Sequence, residues 1–239
     1  MTLVAASPLA QSPDASTAWD PVLRWMIFTG ISLFAAVVLW RYGLIRLMVG
    51  SDRTYISSVI AALYVAASLH CLGRAIAVSR EAAAAAVWRE TGATAPCGPV
   101  GDHLRDLAAK ARARGPSRLD QTLLARAFGQ RLQGGQALGG LASDTVMKLG
   151  LLGTIIGFIL MLGPIAGLDA DDPAALRTAM GVMGDGMAVA MYTTLAGLVG
   201  SILLKAQHYM VERATASLFW NFVRSTETRF IPSLERGDV

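Results

Sequence analysis

Four windows almost empty of charge, each about as long as a membrane crossing, dominate this chain: Val22 to Trp40, Tyr55 to Gly73, Val146 to Leu168 and Ala179 to Leu204. About 20 apolar residues in helical conformation cross roughly 30 Å of hydrocarbon. In lipid the backbone must satisfy its own hydrogen bonds, so apolar runs of this length are expected as helices. Composition agrees, since 54% of the 239 residues are hydrophobic and only 16% charged, where an ordinary soluble domain has about 25% charged. A disordered chain and a soluble enzyme are both disfavoured, and an all-α integral membrane protein is expected.

The windows differ in quality. Arg24 is the single charge in the first and lies one turn inside its start, where an Arg side chain reaches the interface. The second is uncharged but diluted by Ser57, Ser58, Ser68 and His70. Arg74 to Ser143 carries ten Lys or Arg residues, and the tail adds Lys205, Arg213, Arg224, Arg229 and Arg236. The positive-inside rule assigns both to the cytoplasm. Asp169 to Arg177 holds Asp169, Asp171 and Asp172 against one base, so it belongs outside, and windows three and four form an antiparallel pair. With Arg41, Arg46 and Arg53 between windows one and two, two layouts stay open. Four transmembrane helices is one; three, with residues 55–73 as a buried cytoplasmic helix, is the other. The expected organisation is an N-terminal tail over 1–21, a first hairpin over 22–73, a cytoplasmic helical region over 74–145, a channel-forming hairpin over 146–204 and a cytoplasmic tail over 205–239. The first window lacks the basic flank and small-residue cleavage site of a signal peptide.

In the polar stretch, Arg80 to Glu90 with its run of alanines extends the second window as helix, and Thr91-Gly92 ends it. Asp102 reads as the N-cap of a helix through Arg114. A further helix is expected from Leu119 to about Leu132, with Leu123, Leu124, Ala127 and Phe128 on one side. Without aromatic interleaving or a base-reading motif, its arginines read as orientation signals that touch anionic headgroups of membrane lipids, and nucleic acid is not an expected partner. Cys71 and Cys97 are expected to stay reduced, and His70, His103 and His208 have no partner at metal-ligand spacing. No triad or phosphate loop is present, so no enzyme activity and no cofactor are expected.

The third window places Gly150, Gly153 and Gly157 three and four residues apart, and the fourth repeats the device with Gly186, Ala190, Thr193, Gly197 and Gly200. Small residues at this spacing let helix backbones approach closely in lipid. Thr154 lies six residues from Lys148, about 9 Å of rise, and Thr194 eleven before Lys205, about 16 Å. Thr154, Thr193 and Thr194 are therefore within one or two turns of the same depth. Each could bond a carbonyl of its own helix; together they could also hold a partly dehydrated sodium ion or order water for protons. Asp185 is the one acid inside a window, open to either a structural or an ion-uptake role at the outer mouth, together with Asp171 and Asp172.

Leu151-Leu-Gly-Thr-Ile-Ile-Gly157 and Gly186-Met-Ala-Val-Ala-Met-Tyr-Thr-Thr-Leu-Ala-Gly197 resemble, in order and spacing, the two membrane motifs of the MotA/TolQ/ExbB proton channel family. The resemblance covers roughly Val146 to Gln207. It implies an A-type subunit of an ion-driven rotary motor in a bacterial inner membrane, a homopentamer around two single-span B subunits of the MotB/ExbD/TolR type. It also implies that Thr154 and Thr194, joined by Thr193, face the channel beside the partner's carboxylate. Where ExbB and TolQ commonly carry Glu, this chain has Val189. A Thr in the third span paired with Thr-Thr in the fourth, and an outer Asp171-Asp172-Pro173, resemble the family's sodium-driven stators. The transported ion, H+ or Na+, stays open, as does the process driven. A stand-alone channel or small-solute transporter is the competing reading.

Overall fold

The computed structural model describes residues 20–43, 55–91, 97–114, 120–164 and 173–236. Among them every regular element is helical: α1 (Asp20–Arg41), α2 (Ile56–Thr91), α3 (Pro99–Arg114), α4 (Thr122–Gln133), α5 (Gln136–Leu162), α6 (Pro173–Ser225), a π-helical turn (Thr226–Phe230) and α7 (Ile231–Arg236). Four of the helical segments are long and apolar enough to cross a membrane, and they carry the four windows. Large side chains such as Phe34, Phe158 and Met191 point outward from them, as expected where lipid replaces water.

Helix ends follow local chemistry. α5 stops at Leu162 because Pro164 cannot continue the hydrogen-bond ladder, while the expected extension to Leu168 falls outside the described residues. α6 opens on Pro173, whose fixed φ suits a first helical turn. It then runs 53 residues to Ser225, roughly 80 Å at 1.5 Å per residue. The fourth window is therefore only part of a helix that continues well into the basic tail. α2 likewise continues without a break from the second window through the alanine run to Thr91.

Two expectations for the polar stretch are corrected. α3 starts at Pro99, so Asp102 sits in its first turn and is not its N-cap. Gly98, at φ 119°, turns the chain there, and the Glu81 carboxylate from α2 accepts the Val100 N–H at 3.2 Å, a role usually filled by a local cap. Asp102 instead pairs with Arg105 and Arg131, each at 3.0 Å. α4 starts at Thr122, whose N–H bonds the Asp120 carboxylate at 2.9 Å, and its buried stripe is Phe128, Gly129 and Leu132. Leu123 is 73% exposed; the i, i+4 pair Phe128 and Leu132 directs the helix inward, and Leu123 lies away from that face.

The chain divides into two compact units. Among the described residues, the charge-rich unit is built mainly from 75–133 and 214–236. Its core is an aromatic cluster in which Phe128 stands 5.3 Å from Phe222 and 5.9 Å from Phe219, and Trp88 lies 5.7 Å from Phe222 and 5.4 Å from Phe230. Edge-on and offset ring pairs at such separations contribute about 0.5–1.5 kcal/mol beyond their buried area. The π turn inserts Thr226, fully buried, so that its hydroxyl reaches Gln121 Oε1 at 3.1 Å, while Gln121 Nε2 bonds the Val223 carbonyl at 3.3 Å and the Glu227 carboxylate.

The span unit comprises Arg24–Arg74 and Gly134–Arg213. Ile60, Ala67, Val146 and Leu204 form its buried cluster, with Leu63, Tyr64 and Leu149 packed against them. α1 buries only Trp25. Gln207 Nε2 of α6 donates to its Thr29 Oγ1 at 3.2 Å.

Candidate functional site

The centre of the span unit is the seam between α5 and α6, where small residues of one helix meet small residues of the other. A Cβ on Gly150 would fall 2.9 Å from Gly197 Cα, one on Gly157 would fall 2.7 Å from Ala190 N, and one on Gly186 would fall 2.7 Å from Met161 N. Gly153 lies against the Thr193 side chain so closely that a Cβ would overlap it. Gly200 is looser, with its nearest neighbour, Val146 Cγ1, at 3.3 Å from such a Cβ. Gly150, Gly153 and Gly157, stepping forward along α5, meet Gly197, Thr193 and Ala190, stepping back along α6. The two helices are thus antiparallel and in backbone contact over several turns, a geometry that residues with side chains at these positions would prevent.

The same register fixes the depth of the threonines. Lys205 Nζ pairs with Asp144 Oδ1 at 3.1 Å. From that pair Thr154 lies ten residues along α5 and Thr194 eleven back along α6, about 15 and 16 Å of rise. Counting from Lys148 underestimates the match, because α6's Lys205 sits opposite Asp144, one turn earlier. Thr193 packs on Gly153, the neighbour of Thr154, so the structure brings all three threonines to one level.

Their environments differ. Thr193 is fully buried in the seam and its hydroxyl donates to the Val189 carbonyl at 2.8 Å. Thr154 and Thr194 are half-buried. Thr154 donates to the Leu151 carbonyl at 2.5 Å, and Thr194 to the Ala190 carbonyl at 3.0 Å, with the Gly150 carbonyl across the seam at 3.4 Å. These bonds satisfy the hydroxyl hydrogens within the helices, as hydroxyls in apolar surroundings require. They leave the oxygen lone pairs, and those are what a cation or a donated proton would meet. Val189, buried in the same stretch of α6, supplies the carbonyl that Thr193 uses.

Asp185 is exposed on α6. It stands nine residues before Thr194, nearly on the opposite side of the helix. Asp171 and Asp172 lie outside the described residues. Among the described residues no three His, Cys, Asp or Glu side chains converge as a metal site.

The glycine-closed antiparallel pair, with its hydroxyls at one depth among helices of membrane-spanning length, defines a multi-pass membrane protein of helical-bundle type. Residues 115–219 match the model of the MotA/TolQ/ExbB proton channel family, and this segment contains the α5–α6 seam and all three threonines. No curated protein matches the chain, and neither does any solved structure.

Proposed function

We propose that the chain is the A-type subunit of an ion-driven rotary motor. Five copies surround two copies of a single-span B subunit, and ion passage turns the pentamer around the dimer. The observation that carries the reading is the level of hydroxyls at the α5–α6 seam inside the segment matched by the channel family. Thr154 and Thr194, half-buried in a single copy, line the pathway and offer oxygen lone pairs to the ion as it transfers to and from a carboxylate of the B subunit. Thr193, locked behind them against Gly153, holds the spacing of the two helices. The seam itself is rigid, because neither helix can move inward, and that suits a subunit that rotates as a body.

Protons and sodium both fit hydroxyl oxygens, and the motor's energy source is one of the two. The cytoplasmic membrane of a bacterium supplies such an ion gradient, and the basic flanks of the spans face inward. The test is co-expression with a single-span protein that carries an Asp near the start of its span, followed by purification and ion flux in proteoliposomes. A stable assembly containing both chains, with flux lost when the partner's Asp becomes Asn, is the expected result. Solute or ion flux by this chain alone, without any partner, would instead establish a stand-alone channel.

A further inference from the structure

Within the span unit α2, α5 and α6 border an open-sided cavity of about 650 Å³, lined among others by Arg74, Gly139, Lys205, His208, Tyr209 and Glu212. Its height along the helices is set by the ends of the apolar windows: Arg74 follows Gly73, and Lys205 follows Leu204. That is the level of the phosphates of a bilayer, on the leaflet that faces the basic loops.

The charges around the cavity are of both signs, with basic groups in slight excess. Arg74 and Lys205 line the cavity, and Arg213 lies 5.0 Å from the Tyr209 ring, one turn further along α6. Against them stand Glu212 in the lining and Asp144, which holds Lys205 at 3.1 Å. A lysine ammonium has three donors, so that pair leaves Lys205 with donors to give. His208 adds a directional group. Its Nδ1 lies 2.9 Å from the Leu204 carbonyl, and its Nε2 is buried with no hydrogen-bond partner. A neutral imidazole that donates from Nδ1 presents Nε2 as an acceptor. Gly139 is what admits the ring, because a Cβ there would overlap the imidazole.

We infer that this cavity binds the headgroup of an anionic phospholipid that carries hydroxyls, of the phosphatidylglycerol type. The phosphodiester sits between Arg74 and Lys205, and a headgroup hydroxyl donates to His208 Nε2. Basic pockets between membrane helices on the cytoplasmic side suit such headgroups, and each Lys or Arg near the surface contributes about 1 kcal/mol toward an anionic lipid, or about five-fold in affinity. The site stands apart from the threonine level and does not depend on the chain's being a motor.

Native mass spectrometry of the detergent-solubilised full chain, titrated with phosphatidylglycerol, phosphatidylcholine or glycerol 3-phosphate, tests it. Phosphatidylglycerol is expected to be retained over phosphatidylcholine by about five-fold or more. Arg74→Gln removes that preference, and Arg112→Gln, an equal charge change at an exposed position of α3, keeps it. His208→Phe weakens phosphatidylglycerol while leaving phosphatidylmethanol, a fourth titrant with the same phosphodiester and no headgroup hydroxyl, unchanged. A photo-crosslinking residue in place of Tyr209 reads the same preference without altering Arg74, and is expected to capture phosphatidylglycerol. Equal retention of the two lipids, an equal loss in Arg112→Gln, or displacement of the lipid by equimolar glycerol 3-phosphate would each overturn the assignment, the last by showing a site for soluble phosphate esters.

Discussion

The Thr194 hydroxyl stands 3.4 Å from the Gly150 carbonyl oxygen of the facing helix, an approach that the missing side chain at Gly150 allows. The distance is long for an O–H···O bond, and the hydroxyl's nearer acceptor is the Ala190 carbonyl at 3.0 Å. The Gly150 carbonyl also accepts the Thr154 N–H in regular α geometry. The two threonines thus meet around one carbonyl, and the width of the seam controls the relation between them.

Widening that seam by one methyl group is expected to destabilise the span unit. In Gly197→Ala the new Cβ would lie 2.6 Å from Gly150 Cα, and backbone cannot swing aside as a side chain would. Overpacking of this kind costs about 1–3 kcal/mol. Gly30→Ala in α1, where nothing lies within 4 Å of the new atom, is the matched control and is expected to be neutral or slightly stabilising. Thermal unfolding of both variants in detergent compares them, and equal midpoints would show that α5 and α6 do not meet as described.

In the charge-rich unit the polar cluster around Gln121 makes a second prediction. Thr226→Val preserves shape but leaves Gln121 Oε1 without the hydroxyl that lies 3.1 Å away. An unsatisfied buried acceptor costs about 1–3 kcal/mol. Gln121→Leu together with Thr226→Val removes both partners of that bond, although the Val223 and Glu227 contacts of Gln121 are then lost as well. The double variant is therefore expected to recover only part of the loss, and a double-mutant cycle on unfolding free energies measures the coupling.

The contrast between these two sites explains what the sequence made legible. The α5–α6 seam could be read because its signal is periodic: glycines at three- and four-residue steps have one meaning on a membrane helix, whatever else the chain does. The apolar windows were legible for a similar reason, as length and absence of charge define them. The Gln121–Thr226 pair joins residues more than a hundred positions apart through a π turn, and no local pattern announces either. Glu81 is hidden in the same way, because it caps α3 from another helix; Asp102 offered a nearer and more conventional cap. The length of α6 was underestimated because polarity after Lys205 ends a hydrophobic window without ending a helix.

His103 is expected to make the charge-rich unit sensitive to pH. It is buried 5.0 Å from the Phe128 ring and 5.9 Å from Phe222. Burial lowers its imidazole pKa below the ordinary 6.5, against the opposing influence of the Gln121 side chain, Asp106 and the Leu124 backbone. A folded pKa below the unfolded one means that the unfolded chain binds more protons in the window beneath 6.5. This contribution to stability is therefore complete above that pH and declines as pH falls through the window. The unfolding midpoint of the full chain is expected to drop between about pH 7.5 and 5.5, and His103→Phe, which extends the aromatic cluster, is expected to shrink that drop. An unchanged pH dependence in the variant would assign the effect to other groups.

The threonines separate a lining role from a packing role. Thr154→Val and Thr194→Val keep the volume of the side chain and remove the oxygen whose lone pairs would face an ion. In co-reconstituted proteoliposomes each is expected to lower coupled ion flux by about tenfold or more, which corresponds to about 1.4 kcal/mol on the barrier, with assembly intact. Thr193→Val is expected to conduct nearly as the parent does, since its hydroxyl is buried on the Val189 carbonyl. Thr193→Ala should instead weaken the seam, because it leaves empty the space that the side chain fills against Gly153. Sodium replaced by potassium at constant membrane potential then identifies the ion, since a sodium pathway falls silent and a proton pathway does not. Full flux in a Thr154→Val, Thr194→Val double variant would remove both residues from the pathway and leave their hydroxyls with backbone bonding alone.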